Sequence, residues 1–383
     1  MDGSGSGPRL AMVAGEASGD LLGGLLLGGL KTRWPRLQAA GIGGPRMEAQ
    51  GFDAGWPYEK LAVNGFVDVL GRYREISGIR DRLRERLLRD RPDAFIGIDA
   101  PDFNLGLETA LRTQGLKTVH FVSPSIWAWR GKRIHKIQRA TDLVLCLFPF
   151  EPAIYAKHDI EAIYVGHPLA DVIPMEVPRA SARATFGLAD DEAVVALLPG
   201  SRRSEIHYIA PRLLLAAAEM QTRRPGLRFV LPVVPGMRQL IEPLLREHAP
   251  QVDILVRDGA SHEALAACDV ALVASGTATL EAALFKRPMV ITYVTHPINW
   301  QVMKRLSYKP WVGLPNILAD EFVVPELLQH EATPARLAQA ALDWLDDAAG
   351  CAALATRFDA LHRLLRRNTA QAATDALAKV LAR

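Results

Sequence analysis

Apolar runs of four to six residues recur along this chain, each followed by a small polar turn and a helix-forming stretch. They lie at 10–14, 38–42, 94–98, 118–122, 143–147, 162–165, 194–198, 228–233, 252–256, 270–274 and 289–292. Runs of that kind read as strands buried on both faces, and their alternation with helices specifies parallel sheets. In such sheets ligands bind outside the carboxyl ends of the strands, so the turns after the runs are where chemistry is expected.

The 383 residues exceed one ordinary core and suit two α/β domains. A proline-marked stretch with Pro168, Pro174 and Pro178 divides them. The expected organisation is a lead-in at 1–8, Rossmann-like domains at 9–170 and 171–355, and a helical tail at 356–383. Leu361, Leu364, Leu365, Leu377, Val380 and Leu381 of the tail suit packing on the first domain or on a partner subunit. The Gly/Ser-rich lead-in lacks the apolar core of a signal peptide and reads as disordered. No stretch reaches the ~18 apolar residues of a membrane span. Cys146, Cys268 and Cys351 stand far apart in apolar or Ala-rich surroundings and read as reduced thiols. A net charge of +3 argues against nucleic acid as a partner.

In the second half, positions 272–281 read Leu-Val-Ala-Ser-Gly-Thr-Ala-Thr-Leu-Glu. A strand ending at Ala274, the turn Ser275-Gly276-Thr277 and a helix over 278–285 present backbone N–H groups at a helix N-terminus, a socket for phosphate. Glu281, one turn deeper on the same side, suits ribose hydroxyls. The alternative is an ordinary turn capped by Ser275 or Thr277. After the 194–198 run come Gly200, Ser201, Arg202 and Arg203. Gly200 allows close backbone approach, and Arg202, with Arg203 second, suits bidentate phosphate binding. The alternative there is a solvated arginine pair. Two phosphate-suited loops at one sheet edge suggest a nucleoside diphosphate. Asn316, in Leu314-Pro315-Asn316, suits orienting a hydroxyl or forming a turn.

In the first half Asp99 ends the 94–98 run, where a carboxylate can take a proton from a sugar hydroxyl. Asp102 is the second candidate, or a helix cap. Two carboxylates hydrolysing a glycoside form another reading. Trp127 and Trp129, after the 118–122 run, suit stacking on a sugar or acyl chain, or packing between domains. His167 suits a ligand contact or a structural hydrogen bond. With no Asp-x-Asp pair and no cluster of the ten histidines with carboxylates, neither metal nor cofactor is expected; arginine and helix N-termini would balance phosphate charge. Residues 72–91 hold eight arginines and four acids, with Ile76, Ile79, Leu83 and Leu87 at helical spacing. With the apolar run before them, this element suits an anionic membrane surface through Phe66, Val67, Val69, Leu70, Arg72 and Arg74. An ordinary salt-bridged surface helix is the alternative.

Taken in order, several motifs resemble the lipid A disaccharide synthases. They are Val13-Ala14-Gly15-Glu16-Ala17-Ser18-Gly19-Asp20, Gly44-Pro45-Arg46-Met47, the segment from Gly97 to Asn104, and Ser123-Pro124-Ser125-Ile126-Trp127-Ala128-Trp129-Arg130. In the second half they are the segments 197–202 and 274–281 and Leu314-Pro315-Asn316. The resemblance implies a GT-B architecture, two Rossmann-like domains whose parallel sheets face across a cleft. It implies an inverting, metal-independent transfer from UDP-2,3-diacylglucosamine to 2,3-diacylglucosamine 1-phosphate (lipid X), giving a β-1′,6 disaccharide and UDP. Asp99 matches the family's base, Arg202 its phosphate-binding arginine, Asn316 a residue important for activity, and Ser275, Thr277 and Glu281 its nucleotide loop. Glu16, Ser18, Asp102, Trp127, Trp129 and His167 fall on the acceptor side. Peripheral attachment to the inner face of the bacterial inner membrane, and a homodimer exchanging C-terminal parts, are further implications. A non-hydrolysing UDP-sugar 2-epimerase and a non-catalytic nucleotide-sugar sensor are the rival readings.

Overall fold

In β1 (Arg9–Ala14), Leu10, Met12 and Ala14 enter one apolar cluster and Ala11 and Val13 another. A strand buried on both faces belongs inside a helix-flanked parallel sheet. The computed structural model, which describes residues 7–57, 61, 66–306 and 308–383, has two such sheets. The first contains β1, β2 (Gln38–Gly43), β3 (Asp53–Pro57), β4 (Ala94–Ile98), β5 (Thr118–Phe121), β6 (Leu143–Cys146) and β7 (Ala162–Tyr164), in the order β3-β2-β1-β4-β5-β6-β7. The second contains β8 (Val194–Leu198), β9 (Arg228–Val233), β10 (Ile254–Asp258), β11 (Val270–Ala274), β12 (Met289–Tyr293) and β13 (Glu326–Leu328), in the order β10-β9-β8-β11-β12-β13.

Each sheet reverses its strand order once, between β1 and β4 and between β8 and β11. These are the switch points at which doubly wound sheets open a crevice for ligands. The expected phosphate loops follow β8 and β11, and Asp99 follows β4.

Two edge strands, β3 and β13, were not legible as apolar runs. β3 reads Asp-Ala-Gly-Trp-Pro, with residues tolerated in strands mainly at edges, and β13 has three residues. The strand expected at 252–256 lies at Ile254–Asp258, where Arg257 and Asp258 end it in solvent.

The chain divides into Met1–Asp171 with Leu365–Arg383, and Val172–Leu364. The change-over near the C-terminus thus falls at Leu365 and not at residue 356. The helix Thr369–Leu381 buries Ala373, Leu377 and Val380 in the first unit's core, against the helix Ala17–Arg33. Asp171 accepts the backbone N–H groups of Asn368 (2.9 Å) and Thr369 (2.7 Å), so the last residue of the first segment caps the returning helix.

The glycines of Ala17–Arg33 explain the close approach. Each costs about 1 kcal/mol in a helix interior. Yet a Cβ on Gly29 would lie 2.7 Å from the Ala370 carbonyl oxygen, and one on Gly23 would lie 2.6 Å from Met47 Sδ. Gly29→Leu is therefore expected to destabilise the protein by about 1–3 kcal/mol, read from urea unfolding. An unchanged midpoint would mean that the returning helix contributes nothing to the first unit's stability.

Candidate functional site

β8 and β11 pair in register, Leu198 beside Val273, so their following loops start roughly 5 Å apart. Gly200 has φ +105°, and a Cβ there would fall 2.4 Å from Glu205 Oε2. That carboxylate oxygen accepts the N–H groups of Ser201 (2.9 Å) and Arg202 (3.1 Å) at the start of the helix Arg203–Arg223. Gly200 and Ser201 therefore shape the loop, and their neighbouring backbone donors are already used. The Arg202 guanidinium remains exposed, held loosely by Glu205 Oε1 at 3.3 Å. Arg203 is exposed too.

Past β11, Ser275 donates its N–H to the Thr292 carbonyl (2.8 Å) and its hydroxyl to the Val312 carbonyl (2.8 Å). It fastens the turn and does not point a free hydroxyl outward. Gly276, at φ +152°, and Thr277 are exposed, and nothing lies within 4 Å of a Cβ built on Gly276. The helix Thr277–Leu284 begins there, with the Thr279 N–H on the Gly276 carbonyl at 3.1 Å.

Asn316 is fully buried. Its amide donates to the Val324 carbonyl and to Glu326 Oε1, both at 2.9 Å. Its oxygen accepts the N–H groups of Val323 (2.8 Å) and Val324 (3.0 Å). Glu326 in turn accepts the N–H groups of Val312 and Gly313, each at 2.9 Å. Of the two readings of Asn316, a hydroxyl contact or a turn, these bonds serve the turn: Asn316 and Glu326 hold the loop to which Ser275 is tied. Thr279 adds a second tie, accepting the Leu314 N–H at 3.3 Å.

Glu281 meets a residue that the sequence reading missed. His262 Nε2 lies 3.8 Å from Glu281 Oε1, and this carboxylate raises the basicity of the imidazole. His262 carried no signal because it belongs to a different helix, Ser261–Ala267.

In the first unit, β4 ends at Ile98 and the chain turns through Asp99 (φ +50°) and Ala100 (φ +43°), two consecutive left-handed residues without glycine. Asp99 N–H donates to the Phe121 carbonyl (2.8 Å), and the Asn104 amide donates to the Asp99 carbonyl (2.8 Å). Val122, the residue after β5, is left-handed as well (φ +80°), unusual for a β-branched side chain. Strain of this kind gathers at functional sites. Burial raises the Asp99 carboxyl above its ordinary value, opposed by His120 and by the Ala100 N–H. Such a carboxylate is a stronger proton acceptor than a solvated one.

Asp102 differs. It is exposed and ion-paired with Arg133 and, at 3.7 Å, with Arg130. The loop bearing Glu16 and Ser18, both exposed, lies against this turn; a Cβ on Gly15 would lie 2.7 Å from Ala100 Cβ. Asp20 fixes that loop to the Gly44–Met47 segment by accepting the N–H groups of Gly44, Arg46 and Met47 at 2.9–3.1 Å.

Trp127 and His167 pack inward. Trp127 donates to Glu151 Oε1 (3.1 Å) and meets Phe148 and Phe150 edge-on. His167 stacks on Phe148 and accepts the Leu169 N–H at 3.2 Å. Trp129 is exposed beneath the Arg130 guanidinium, 4.3 Å from its ring. Among the described residues no group of three or more His, Cys, Asp or Glu could hold a metal ion.

The arginine-rich element is the helix Phe66–Asp90. Ile79, Leu83 and Leu87 enter the first unit's core, so this stripe is not free to face a membrane. Arg74, Arg82 and Arg89 are exposed. The side chains of Phe66, Val67, Val69, Leu70 and Arg72 lie outside the described residues. Among the described residues no helix is long and apolar enough to cross a membrane.

Solved structures share this architecture. The UDP-GlcNAc 2-epimerase of Neisseria meningitidis, bound to UDP-GlcNAc, matches with a TM-score of 0.64 at 11% identity, over 98% of this chain and 99% of that one. The glycotransferase of kitacinnamycin matches at 0.65 and 16%, over 98% and 100%. Two parallel α/β units of this kind define the GT-B class. At the level of sequence, a family model described as lipid-A-disaccharide synthetase matches residues 10–379. The lipid-A-disaccharide synthase of Albidiferax ferrireducens is 57% identical over 378 residues, 97% of each chain. That of Verminephrobacter eiseniae is 56% identical over 379 residues, 98% of this chain and 97% of that one. The chain belongs to the lipid-A-disaccharide synthetase family.

The aromatic cluster carries a pH test. Burial pushes the Glu151 carboxyl up to about 7 and the His167 imidazole down to about 4. Between pH 4.5 and 7 the folded state keeps a proton on Glu151 that the unfolded chain releases, so this group lowers stability as pH rises. His167 does the reverse: the unfolded chain takes a proton from about pH 6.5 downward, so stability is lost as pH falls toward 4. Glu151→Gln removes the first slope. Its stability at pH 7.5 relative to pH 5, from urea unfolding, is expected to exceed the wild-type difference by about 2–3 kcal/mol. An identical difference in both proteins would mean that Glu151 is already ionised at pH 5.

Proposed function

We propose that this protein condenses UDP-2,3-diacylglucosamine with 2,3-diacylglucosamine 1-phosphate, releasing UDP and forming the β-1′,6 disaccharide of lipid A. Family membership over nearly the whole chain carries the reading. The site residues give it a mechanism. Asp99 takes the proton from the acceptor's 6-hydroxyl as that oxygen attacks the donor's anomeric carbon. The bond to the UDP phosphate breaks in the same displacement, inverting an α-linked donor to a β-linked product. Arg202 and the amides opening Thr277–Leu284 stabilise the charge that gathers on the departing diphosphate. Glu281 receives the ribose hydroxyls. Charge supplied this way requires no divalent ion.

Both substrates carry acyl chains, which favours work at a membrane surface. The arginines of Phe66–Asp90 suit anionic headgroups, and in the sequence Phe66, Val67, Val69 and Leu70 are the apolar residues suited to the contact. A homodimer that exchanged the Thr369–Leu381 helix would reuse the contacts that this helix makes within one chain.

The test is a transfer assay with both lipid substrates, with and without a chelator, alongside calorimetric UDP binding. Wild type is expected to form disaccharide and UDP equally under both conditions. Asp99→Ala should lower turnover roughly 10²–10⁴-fold with UDP affinity unchanged. Arg202→Ala should weaken UDP binding about 10- to 100-fold. Interconversion of a UDP-sugar without disaccharide formation would favour an epimerase instead.

A further inference from the structure

Behind the Asp99 turn lies a buried ion-pair geometry that the proposed reaction does not use. Glu108 Oε1 and His120 Nδ1 stand 2.7 Å apart, and both side chains are fully buried. Glu108 sits on the helix Pro101–Thr113, one turn after Asn104, whose amide holds the Asp99 carbonyl. The two share one face of that helix. His120 belongs to β5 and pairs in register with Gly97 of β4, two residues before Asp99.

Gly97 is what makes the arrangement possible. A Cβ there would fall 2.1 Å from Glu108 Oε1 and 2.9 Å from Asn104 Cβ. The strand therefore opens a slot, and the slot is filled by a carboxylate. Three buried atoms of the cluster, His120 Nε2, Glu108 Oε2 and Asn104 Oδ1, make no hydrogen bond to the described residues.

A cluster of this kind is a poor way to stabilise a sheet. Burying a charged or chargeable pair costs several kcal/mol, and an apolar pair of the same volume generally serves as well or better. Its neighbours on the same strands, Phe95, Ile96, Val119 and Phe121, are apolar. The exception stands against the one turn that carries the proposed base, and His120 is the side chain whose charge acts on Asp99. The other charged group acting on Glu108 is Lys136 of the helix Ile134–Ala140, itself influenced by Asp102, Arg133 and Arg80.

We propose that Glu108 and His120 are positioning residues for Asp99: Glu108 holds His120 through Nδ1, and His120 supplies the countercharge that keeps the half-buried Asp99 carboxylate ready to accept the acceptor's proton. The inference rests on Asp99 being the base. Of the two, His120 and not the Glu108 carboxylate is the group whose charge acts on Asp99. Once Asp99 holds the hydroxyl proton, the need for that charge ends, so the dyad acts on the state before transfer.

His120→Asn keeps a donor for Glu108 and removes the charge. Glu108→Gln keeps the shape and removes the carboxylate charge that contacts His120 Nδ1. Each is measured in the full-length protein for kcat and KM from pH 5.5 to 9, with UDP binding and urea unfolding in parallel. For His120→Asn, kcat is expected to fall about tenfold near neutrality, with donor KM and UDP affinity unchanged. The acid limb of its kcat profile should move up by about one pH unit, because Asp99 loses its countercharge. Glu108→Gln should move the limb in the same direction by less, and it decides the question should His120→Asn not fold.

A drop in kcat with the acid limb in its wild-type place, in a folded variant that binds UDP, would overturn the dyad's role and leave Asp99 as base. Asp99→Asn separates the two failures. If that variant keeps wild-type kcat and acid limb, the base assignment itself falls, and the dyad proposal with it.

Discussion

The Asn104 amide donates to the carbonyl of Asp99, and the conformation of the turn after β4 depends on that bond. Asp99 and Ala100 occupy left-handed backbone conformations that cost of order 1–3 kcal/mol each for non-glycine residues. Such a turn persists only if its surroundings fix it from several sides. Here the Phe121 carbonyl takes the Asp99 N–H, Asn104 takes its carbonyl, and Pro101 fixes the next φ. The result is a carboxylate held at the carboxyl end of a central strand in a conformation that a relaxed turn would not adopt. Asn104 reaches this position because it lies one turn into the helix that follows, so the strand, turn and helix form one unit.

The second sheet solves its loop problem with the same residue type. Asn316 is buried, follows a proline at the start of the helix Leu314–Ala319, and spends every hydrogen-bonding atom on backbone or on Glu326. A buried amide suits this task because it donates and accepts without carrying charge. Two carboxylates complete the frame, Glu205 on the Gly200 loop and Glu326 on the Val312–Gly313 loop. Each accepts two backbone N–H groups, and Glu205 also pairs through Oε1 with the Arg202 guanidinium. What faces outward is the Arg202 guanidinium and the opening of Thr277–Leu284, so the exposed part of this edge keeps a positive character.

The sheet cores were legible because parallel strands leave continuous apolar runs, and the strand ends marked where ligand-binding turns would fall. Asp99, Arg202 and the Ser275–Thr277 turn emerged from that rule. The misses share a cause. His262, Glu326, Glu108 and His120 act through partners distant in sequence, and a single glutamate or histidine inside an apolar strand or helix carries no local mark. For Asn316 and Ser275 the sequence offered a ligand contact and a turn side by side, because a sequence does not show which way a polar side chain points. The apolar stripe of Phe66–Asp90 shows the same ambiguity: its spacing fits a core and a membrane equally, and the sheet claims Ile79, Leu83 and Leu87.

The two units place different residues at the same point of one topology. In both, the strand order reverses beside the central strand, and the loops at that point are free to carry function. The difference lies in the first residues past the strand. After β4 the chain places Asp99, a carboxylate raised by burial, and follows it with a proline-led helix whose first turn is occupied by bonds to Ala100. After β11 it places Ser275 and Gly276, which carry no charge, and the helix that follows starts at the exposed Thr277 with the Thr279 N–H on the Gly276 carbonyl (3.1 Å). In the proposed reaction one edge serves as proton acceptor and the other as anion binder. A sugar transfer that deprotonates a hydroxyl and releases a diphosphate needs one of each.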